Sequence, residues 1–232
     1  MKRFLKIVVV ACVATLLLVL ATGGYLYHAT QQVPDFYAAA LKSEESEPAA
    51  QKKAGAELEK NLLDLRNEAR DPGRWSAEFT DEQINGWLAF DLPRKFGDLL
   101  PPEFKEPRIA INPTIARVAC RYEGKIKTIL SLNISLEMTD EPNVMAIRVE
   151  KIQAGTLGLP LNRFLDEISV AAKNSGLKLR WKQRGGTPVA LLTLPFEGDE
   201  KTKDLLLDSL RMGKGKVIVS GHTVDHEALA IK

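Results

Sequence analysis

The spacing of hydrophobic and polar positions changes several times along the chain. From Ile7 to Tyr27 the residues are mostly apolar and none is charged. About twenty such residues form a helix roughly 30 Å long, enough to cross a bilayer once. We therefore predict a transmembrane anchor at residues 7–27, preceded by a cytoplasmic segment of residues 1–6.

The charges that flank this apolar run predict its orientation. No Lys or Arg follows it before Lys42, whereas three basic residues precede it: Lys2, Arg3 and Lys6. This bias places the N-terminus in the cytoplasm. We expect a single-pass protein of the cell (inner) membrane with an extracytoplasmic, periplasmic C-terminal domain. A cleaved signal peptide is the alternative, because Ala21 and Gly23 form an acceptable small-x-small cleavage site.

Residues 28–73 have a helical spacing and predict a stalk or linker. One helix is expected from Asp35 to Ser43 and a second from Pro48 to about Arg70, because proline suits the first turn of a helix. The apolar stripe of the second helix is thin. The sequence leaves open whether this helix extends as a stalk or lies on the following domain.

The external domain, residues 75–226, is expected to combine helices with many strands. Thr80 and Gln83 have the spacing of a capping box, which begins a helix. From Pro107 the apolar period changes to two. The clearest alternation runs from Ile126 to Met138, which predicts a long strand with one wet face and hence an antiparallel sheet. Another strand is expected at residues 144–154.

The last third of the chain predicts a helix and two hairpins. Pro160 introduces a helix with an apolar stripe, and Gly176 ends it. Glycine-containing turns at residues 185–186 and 213–215 each separate two strand-like runs. The predicted fold class is α+β, with a long curved antiparallel sheet of about seven strands and a packed helix.

Charge and cysteine content restrict the class of function. Removing the three basic residues before the anchor from the total of 32 leaves 29 against 30 acidic residues. This balance predicts no nucleic-acid partner. Cys12 lies in the predicted anchor and Cys120 in a predicted strand, so we expect no disulfide in the external domain.

The sequence carries no recognisable catalytic motif. It contains no phosphate-binding glycine loop, nucleophile elbow or paired Cys-x-x-Cys. His222, Asp225 and His226 are the only residues grouped like metal ligands, and their position near the C-terminal tail favours a chance grouping over a zinc site. We therefore predict that the protein is not an enzyme and has neither a cofactor nor a metal.

A row of basic residues is expected on one face of a strand in the last third of the chain. Its members are Lys178, Arg180, Lys182 and Arg184. Arg117 and Arg121 join them if their strand lies nearby. A solvated outer face is one interpretation. The other is attraction to anionic lipid headgroups or an acidic partner, since each basic residue close to such a surface contributes about 1 kcal/mol.

Three stretches resemble the YpmS-like family of bacterial single-pass membrane proteins. They are Phe79–Asn85 (FTDEQIN), Ile152–Pro160 (IQAGTLGLP) and Gly215–Gly221 (GKVIVSG). The resemblance covers residues 75 to 224 and includes the N-terminal anchor, whereas the insert at residues 43–70 departs from the family pattern. It implies a long curved sheet around a helix, similar to tubular lipid-binding domains, and by analogy a hydrophobic ligand.

These observations lead to two expectations about function. The first is a membrane-anchored, non-enzymatic envelope protein whose external domain binds a lipid or another hydrophobic ligand. The predicted groove residues are Ile126, Leu130, Leu132, Ile134, Leu136, Leu157, Leu159, Phe164 and Ile168. The alternative is a scaffolding module that recruits another envelope protein through the stalk or an exposed strand edge. The membrane is a predicted partner in both cases.

Overall fold

The computed structural model describes residues 24–97, 100–124, 126–174, 176–194 and 203–225. Most of the predicted anchor therefore lies outside the described residues, and its last part, residues 24–27, belongs to a helical stretch of residues 24–30. Among the helices that the structure describes, none is long and apolar enough to cross a membrane.

Two helices follow this stretch and both contact the rest of the domain. Helix α1 spans Asp35–Ser46 and helix α2 spans Pro48–Glu68. A Cβ atom on Gly55 of α2 would overlap the backbone of Gly86 in the next helix, α3, so the two helices cross with their backbones in direct contact. Gln51 and Leu58 of α2 are buried. Helix α2 thus lies on the domain.

Helix α3 spans Asp81–Lys95, and the capping box predicted at its start is confirmed. The Thr80 hydroxyl accepts a hydrogen bond from the Gln83 amide, and the Gln83 side chain accepts one from the Thr80 amide, both at 3.1 Å. Pro93 does not end the helix. Pro93 lies in the last turn, its missing N–H removes a single hydrogen bond to the preceding turn, and the helix continues to Lys95.

Seven strands form a large antiparallel sheet, which confirms the predicted α+β class. They are β2 (Phe104–Ile111), β3 (Ala116–Glu123), β4 (Lys127–Met138), β5 (Val144–Ala154), β6 (Leu157–Leu159), β7 (Lys178–Arg184) and β8 (Thr187–Thr193). Their order is β2-β3-β4-β5-β8-β7, and β6 pairs with the last residues of β5. The hairpin predicted at Gly185 and Gly186 is confirmed, and both glycines have positive φ.

A second sheet of three strands was not predicted as a separate unit. Its strands are β1 (Gly73–Thr80), β9 (Lys203–Gly213) and β10 (Lys216–Asp225), in the order β1-β10-β9. The hairpin of β9 and β10 was predicted, but β1 pairs with β10 across more than a hundred residues of chain. Trp75 of β1, Leu207 of β9 and Ala69 form a buried cluster beside this sheet.

Asn143 connects the two sheets at the turn between β4 and β5. Its side-chain amide donates to the Leu205 carbonyl and its side-chain oxygen accepts from the Leu207 amide, both at 2.8 Å. Its backbone has a φ of 59°, which asparagine tolerates better than most residues. The Asn143 side chain therefore bonds to the backbone of β9 as the backbone of a neighbouring strand would.

Helix α4, Leu165–Asn174, follows a short 3₁₀ turn at Leu161–Arg163. The amide of Gly176 donates to the Lys173 carbonyl and that of Leu177 to the Ala172 carbonyl, which is the bonding pattern of a Schellman motif. The predicted stop at Gly176, with a φ of 71°, is therefore confirmed. The Trp181 indole donates to the Ser169 hydroxyl at 2.8 Å, so the predicted contact of this helix with the sheet occurs at β7.

Candidate functional site

The candidate site is one face of the large sheet, called the apolar face below. Residues directly opposite each other in antiparallel strands point to the same side. Leu132 of β4 lies opposite Val118 of β3 and Ile152 of β5, and Leu136 lies opposite Ile147. Because side chains alternate between the two sides of each strand, the apolar face consists of the following residues: Val118, Cys120, Thr128, Leu130, Leu132, Ile134, Leu136, Ile147, Val149, Ile152, Leu157, Leu159, Leu179, Trp181 and Leu192.

Most large side chains of the apolar face are half-buried. The four consecutive aliphatic positions of β4 from Leu130 to Leu136 all retain part of their accessible surface, as do Ile147 and Ile152 of β5. Val149 is buried. A face of partly accessible aliphatic side chains is the usual lining of a site for an apolar ligand.

The structure brings the predicted groove residues to this side of the sheet. Leu157 and Leu159 of β6 extend the apolar face beside β5. Phe164 and Ile168, both half-buried, belong to the segment that the bond between Ser169 and Trp181 holds over β7. Ile126 directly precedes β4 and is 57% exposed. The sheet and α4 thus both contribute apolar side chains near the apolar face.

The helical stretch of residues 24–30 ends on the apolar face. The Thr128 hydroxyl donates to the Thr30 carbonyl at 2.6 Å, and the Thr156 amide donates to the Ala29 carbonyl at 2.9 Å. Gly155 has a φ of 59°, and a Cβ atom there would overlap the Ala29 carbonyl. The close approach of the two backbones therefore requires glycine at position 155.

This junction was missed from the sequence. The positive φ of Gly155 is typical of a turn glycine and does not indicate the helix that contacts it. No local pattern signals the contact, because Ala29 and Gly155 are distant in the chain. The junction lies where β4 begins and β5 ends; we call this end of the large sheet the proximal end, and the end with the β4–β5 turn the distal end.

The predicted basic residues lie on the face opposite to the apolar face, which we call the opposite face. Arg180 is bonded to Glu141 at 2.7 Å and Arg184 to Glu137 at 3.3 Å. Lys178 and Lys182 are also exposed on β7. Acidic residues therefore neutralise the charge of two of these four basic side chains.

Arg117 and Arg121 share the opposite face but do not join the β7 row. Three strands separate β3 from β7, so the two groups are about 20 Å apart at the usual strand spacing. The Arg117 guanidinium lies 4.8 Å from the centre of the Phe36 ring of α1, and Arg121 forms an ion pair with Glu106. Helix α1 thus covers this part of the sheet.

A cleft of about 500 Å³ lies at the proximal end beside β2. Prolines and aromatic residues form much of its wall, notably Phe96, Pro101 and Phe104. Phe96 is 45% exposed, and its ring centre is 5.8 Å from that of Trp87. The cleft therefore adds accessible apolar surface to the proximal end.

Two weakly acidic groups have raised pKa values: the half-buried Cys120 thiol of β3 and the buried Tyr37 hydroxyl of α1. Burial raises the pKa of the Cys120 thiol to about 11, so the thiol is protonated at neutral pH and is a weak nucleophile. Burial also raises the pKa of Tyr37 to about 12, with the Glu106 carboxylate adding to the effect. The Tyr37 hydroxyl has no hydrogen-bond partner among the described residues. Both groups are therefore uncharged at neutral pH in the folded protein.

The residues that the sequence grouped like metal ligands are only partly described. The His222 Nδ1 atom lies 2.8 Å from an Asp208 carboxylate oxygen on the neighbouring strand. His226 lies outside the described residues. Within the described ranges no group of three or more His, Cys, Asp and Glu residues is placed to hold a metal ion.

Comparison with known proteins identifies no relative: the chain matches no protein-family model and no curated protein sequence. The resemblance to the YpmS-like family stays a prediction. The structure explains part of Phe79–Asn85, the first of the three stretches on which the resemblance rests. Asn85 bonds to both backbone groups of Ile109, and the Asp81 carboxylate accepts from the Ile111 amide at 3.2 Å, so both residues cover the free edge of β2.

Proposed function

We propose that this protein is a membrane-anchored, non-enzymatic envelope protein whose external domain binds a lipid or a similar hydrophobic ligand on the apolar face. The observation that carries the proposal is the run of half-buried aliphatic side chains along β4 and β5. Covering this surface with an acyl chain would remove apolar area from water, at about 25 cal/mol per Å². The uncharged run of residues 7–27 supports the anchor.

The contrast between the two faces of the sheet supports the choice of the apolar face. On the opposite face, the apolar side chains Val144, Val189 and Leu191 are buried in a cluster with Ala146. Several other positions there are polar or charged, and some form ion pairs, such as Arg180 with Glu141. The opposite face therefore offers less accessible apolar surface to a ligand than the apolar face does.

The alternative, a scaffold that recruits a partner through a strand edge, has weaker support. Helix α3 covers the β2 edge through Asp81 and Asn85. The other edge strand, β7, carries Lys178, Arg180, Lys182 and Arg184. Charged residues on an edge strand discourage pairing with another chain.

Native mass spectrometry of the full chain, extracted gently from its membrane, tests the proposal. We expect a bound mass that fits a lipid. Ile134→Trp fills the apolar face and should reduce the lipid-bound fraction several-fold. Asn133→Trp is the matched control, because Asn133 is the adjacent residue of β4 and points to the opposite face. Its lipid occupancy should equal that of the wild type.

Two results would overturn the proposal. One is a lipid-free wild-type protein, which would shift support to the scaffold. The other is equal lipid loss in both tryptophan variants, which would show that the ligand does not occupy the apolar face. Circular dichroism spectra of the variants must match the wild type, so that loss of lipid reflects occlusion of the face and not unfolding.

A further inference from the structure

We infer that the proximal end of the large sheet rests on the surface of the membrane that holds the N-terminal segment, and that the apolar face opens directly to its outer leaflet. This inference rests on the proposed function, because it names the source and entry point of the lipid. It concerns the orientation of the domain, which the sequence does not indicate.

The first argument is a group of large exposed side chains near the proximal end. Tyr25 and Tyr27 of the helical stretch are 72% and 66% exposed, and Ile126 and Phe96 are 57% and 45% exposed. Ile126 directly precedes β4 and lies at the proximal end. Large apolar residues exposed together at one end of a domain mark an interaction surface.

Strand pairing places the cleft of Phe96 at this same end. Phe104, which begins β2 and lines the cleft, lies opposite Tyr122 near the end of β3. Tyr122 in turn lies opposite Thr128, near the start of β4. The cleft, the residue before β4 and the end of the helical stretch therefore lie at one end of the sheet. Tyrosine is also a preferred residue of the membrane–water interface.

The second argument is the short connection between the predicted anchor and the sheet. Tyr27 ends the predicted anchor, and the Ala29 carbonyl already accepts a bond from Thr156. Two residues of helix advance only about 3 Å. The interfacial layer on each side of the hydrocarbon core is about 5–7 Å thick. The junction therefore falls within the headgroup layer.

The position of Thr128 then defines the path of a lipid. Thr128 bonds to Thr30 at the membrane side of the apolar face, and the accessible side chains continue from Leu130 to Leu136 away from it. An acyl chain that leaves the outer leaflet at this end meets apolar side chains at once. Its transfer requires no passage through water.

The experiment uses the full chain in liposomes of phosphatidylethanolamine and phosphatidylglycerol, with an environment-sensitive fluorophore on a cysteine. Ile126→Cys probes the proximal end and Asp140→Cys is the matched control, since both sites are exposed turn positions beside β4. We expect blue-shifted emission and strong quenching by spin-labelled lipids at position 126 only. Equal water exposure at both positions overturns the inference.

A second measurement does not depend on cysteine labelling, so the native Cys12 and Cys120 stay in place. A photo-crosslinking amino acid at position 126 should form lipid adducts in the same liposomes, and one at position 140 should form none. Equal yields at the two positions also overturn the inference.

Lipid occupancy of the same preparations separates the two proposals. Bound lipid with a water-exposed position 126 overturns the orientation and supports the proposed function. A membrane-embedded position 126 without bound lipid supports the contact surface, but it overturns the entry path together with the proposed function.

Discussion

At the scale of single residues, the least expected feature is a set of polar groups buried between α1 and β2. Arg108 is among the most buried large side chains of the described residues, with 2% of its surface exposed, and it forms an ion pair with Glu44 of α1. Tyr37 is buried beside it. Burying an ion pair removes water from both charges, and this cost offsets much of the attraction between them. The pair therefore fixes the position of α1 more than it stabilises the fold.

The raised pKa values of Tyr37 and Cys120 predict alkaline destabilisation. Both groups stay protonated in the folded protein, whereas the unfolded chain releases their protons near the ordinary values of 10.0 and 9.0. The two groups therefore leave the free energy of unfolding unchanged below pH 9.0. It should fall as the pH rises towards the folded-state pKa values, with a slope set by the difference in bound protons between the unfolded and folded states. Urea unfolding of the detergent-solubilised chain at neutral and alkaline pH measures this fall.

Variants identify the groups responsible for that pH dependence. Cys120→Ala and Tyr37→Phe should each flatten it, and Tyr37→Phe should also leave the neutral-pH stability unchanged or raise it by about 1 kcal/mol, because a buried hydroxyl without a partner is removed. Tyr27→Phe, at an exposed position, serves as the control. An unchanged pH slope in both buried-site variants would contradict the assignment.

At the scale of elements, α3 acts as the cover of a sheet edge. Asp81 and Asn85 are four residues apart and so lie on one face of the helix. Asn85 accepts from the Ile109 amide and donates to the Ile109 carbonyl, both at 2.8 Å, as a neighbouring strand would. An uncovered β2 edge would leave these backbone groups available to another chain.

Asn85→Leu should therefore destabilise the fold and promote association. The loss of two hydrogen bonds to a half-buried backbone should lower the free energy of unfolding by about 2–3 kcal/mol. Chemical denaturation and light scattering measure the two effects. Glu82→Leu is the control, since Glu82 is exposed on the same helix. Equal stability of the two variants would show that α3 does not protect the edge.

Elements with local signals could be predicted from the sequence, and those defined by distant pairing could not. The alternation from Ile126 to Met138 indicated β4 within one residue, and Gly176 indicated the end of α4. The partnership of β1 with β10 has no local signal, since alternation identifies a strand but not its neighbour.

The same limit applies to the candidate site. The groove residues of β4 follow from alternation, and the structure places them on one face, whereas the strand β6 was not predicted. The approach of residues 24–30 to Gly155 is a tertiary contact between distant segments, so periodicity does not reveal it. The burial of Arg108 was likewise unpredictable, because an isolated arginine in a strand usually faces solvent.

At the scale of the whole molecule, Gly155 determines how the helical stretch and the sheet are joined. Gly155→Val should separate them, because the new side chain would overlap the Ala29 carbonyl and a β-branched residue resists a φ of 59°. We expect the amide of Thr156, which bonds to Ala29, to exchange its hydrogen at least about tenfold faster. Hydrogen exchange measured by mass spectrometry on the full chain tests this expectation.

Gly158→Val is the matched control for that experiment. Gly158 lies three residues further along, and a Cβ atom there has nothing within 4 Å. Thr156 should remain protected in this variant. Protection of Thr156 in both variants would mean that the junction tolerates a side chain at position 155.

Under the proposed function, the length of the apolar face limits the ligand. The accessible aliphatic positions of β4 run from Leu130 to Leu136, about 20 Å at the usual rise per residue. One leaflet contributes about 15 Å of hydrocarbon, so a single acyl chain of an ordinary membrane lipid fits lengthwise. Two chains placed end to end would exceed this length.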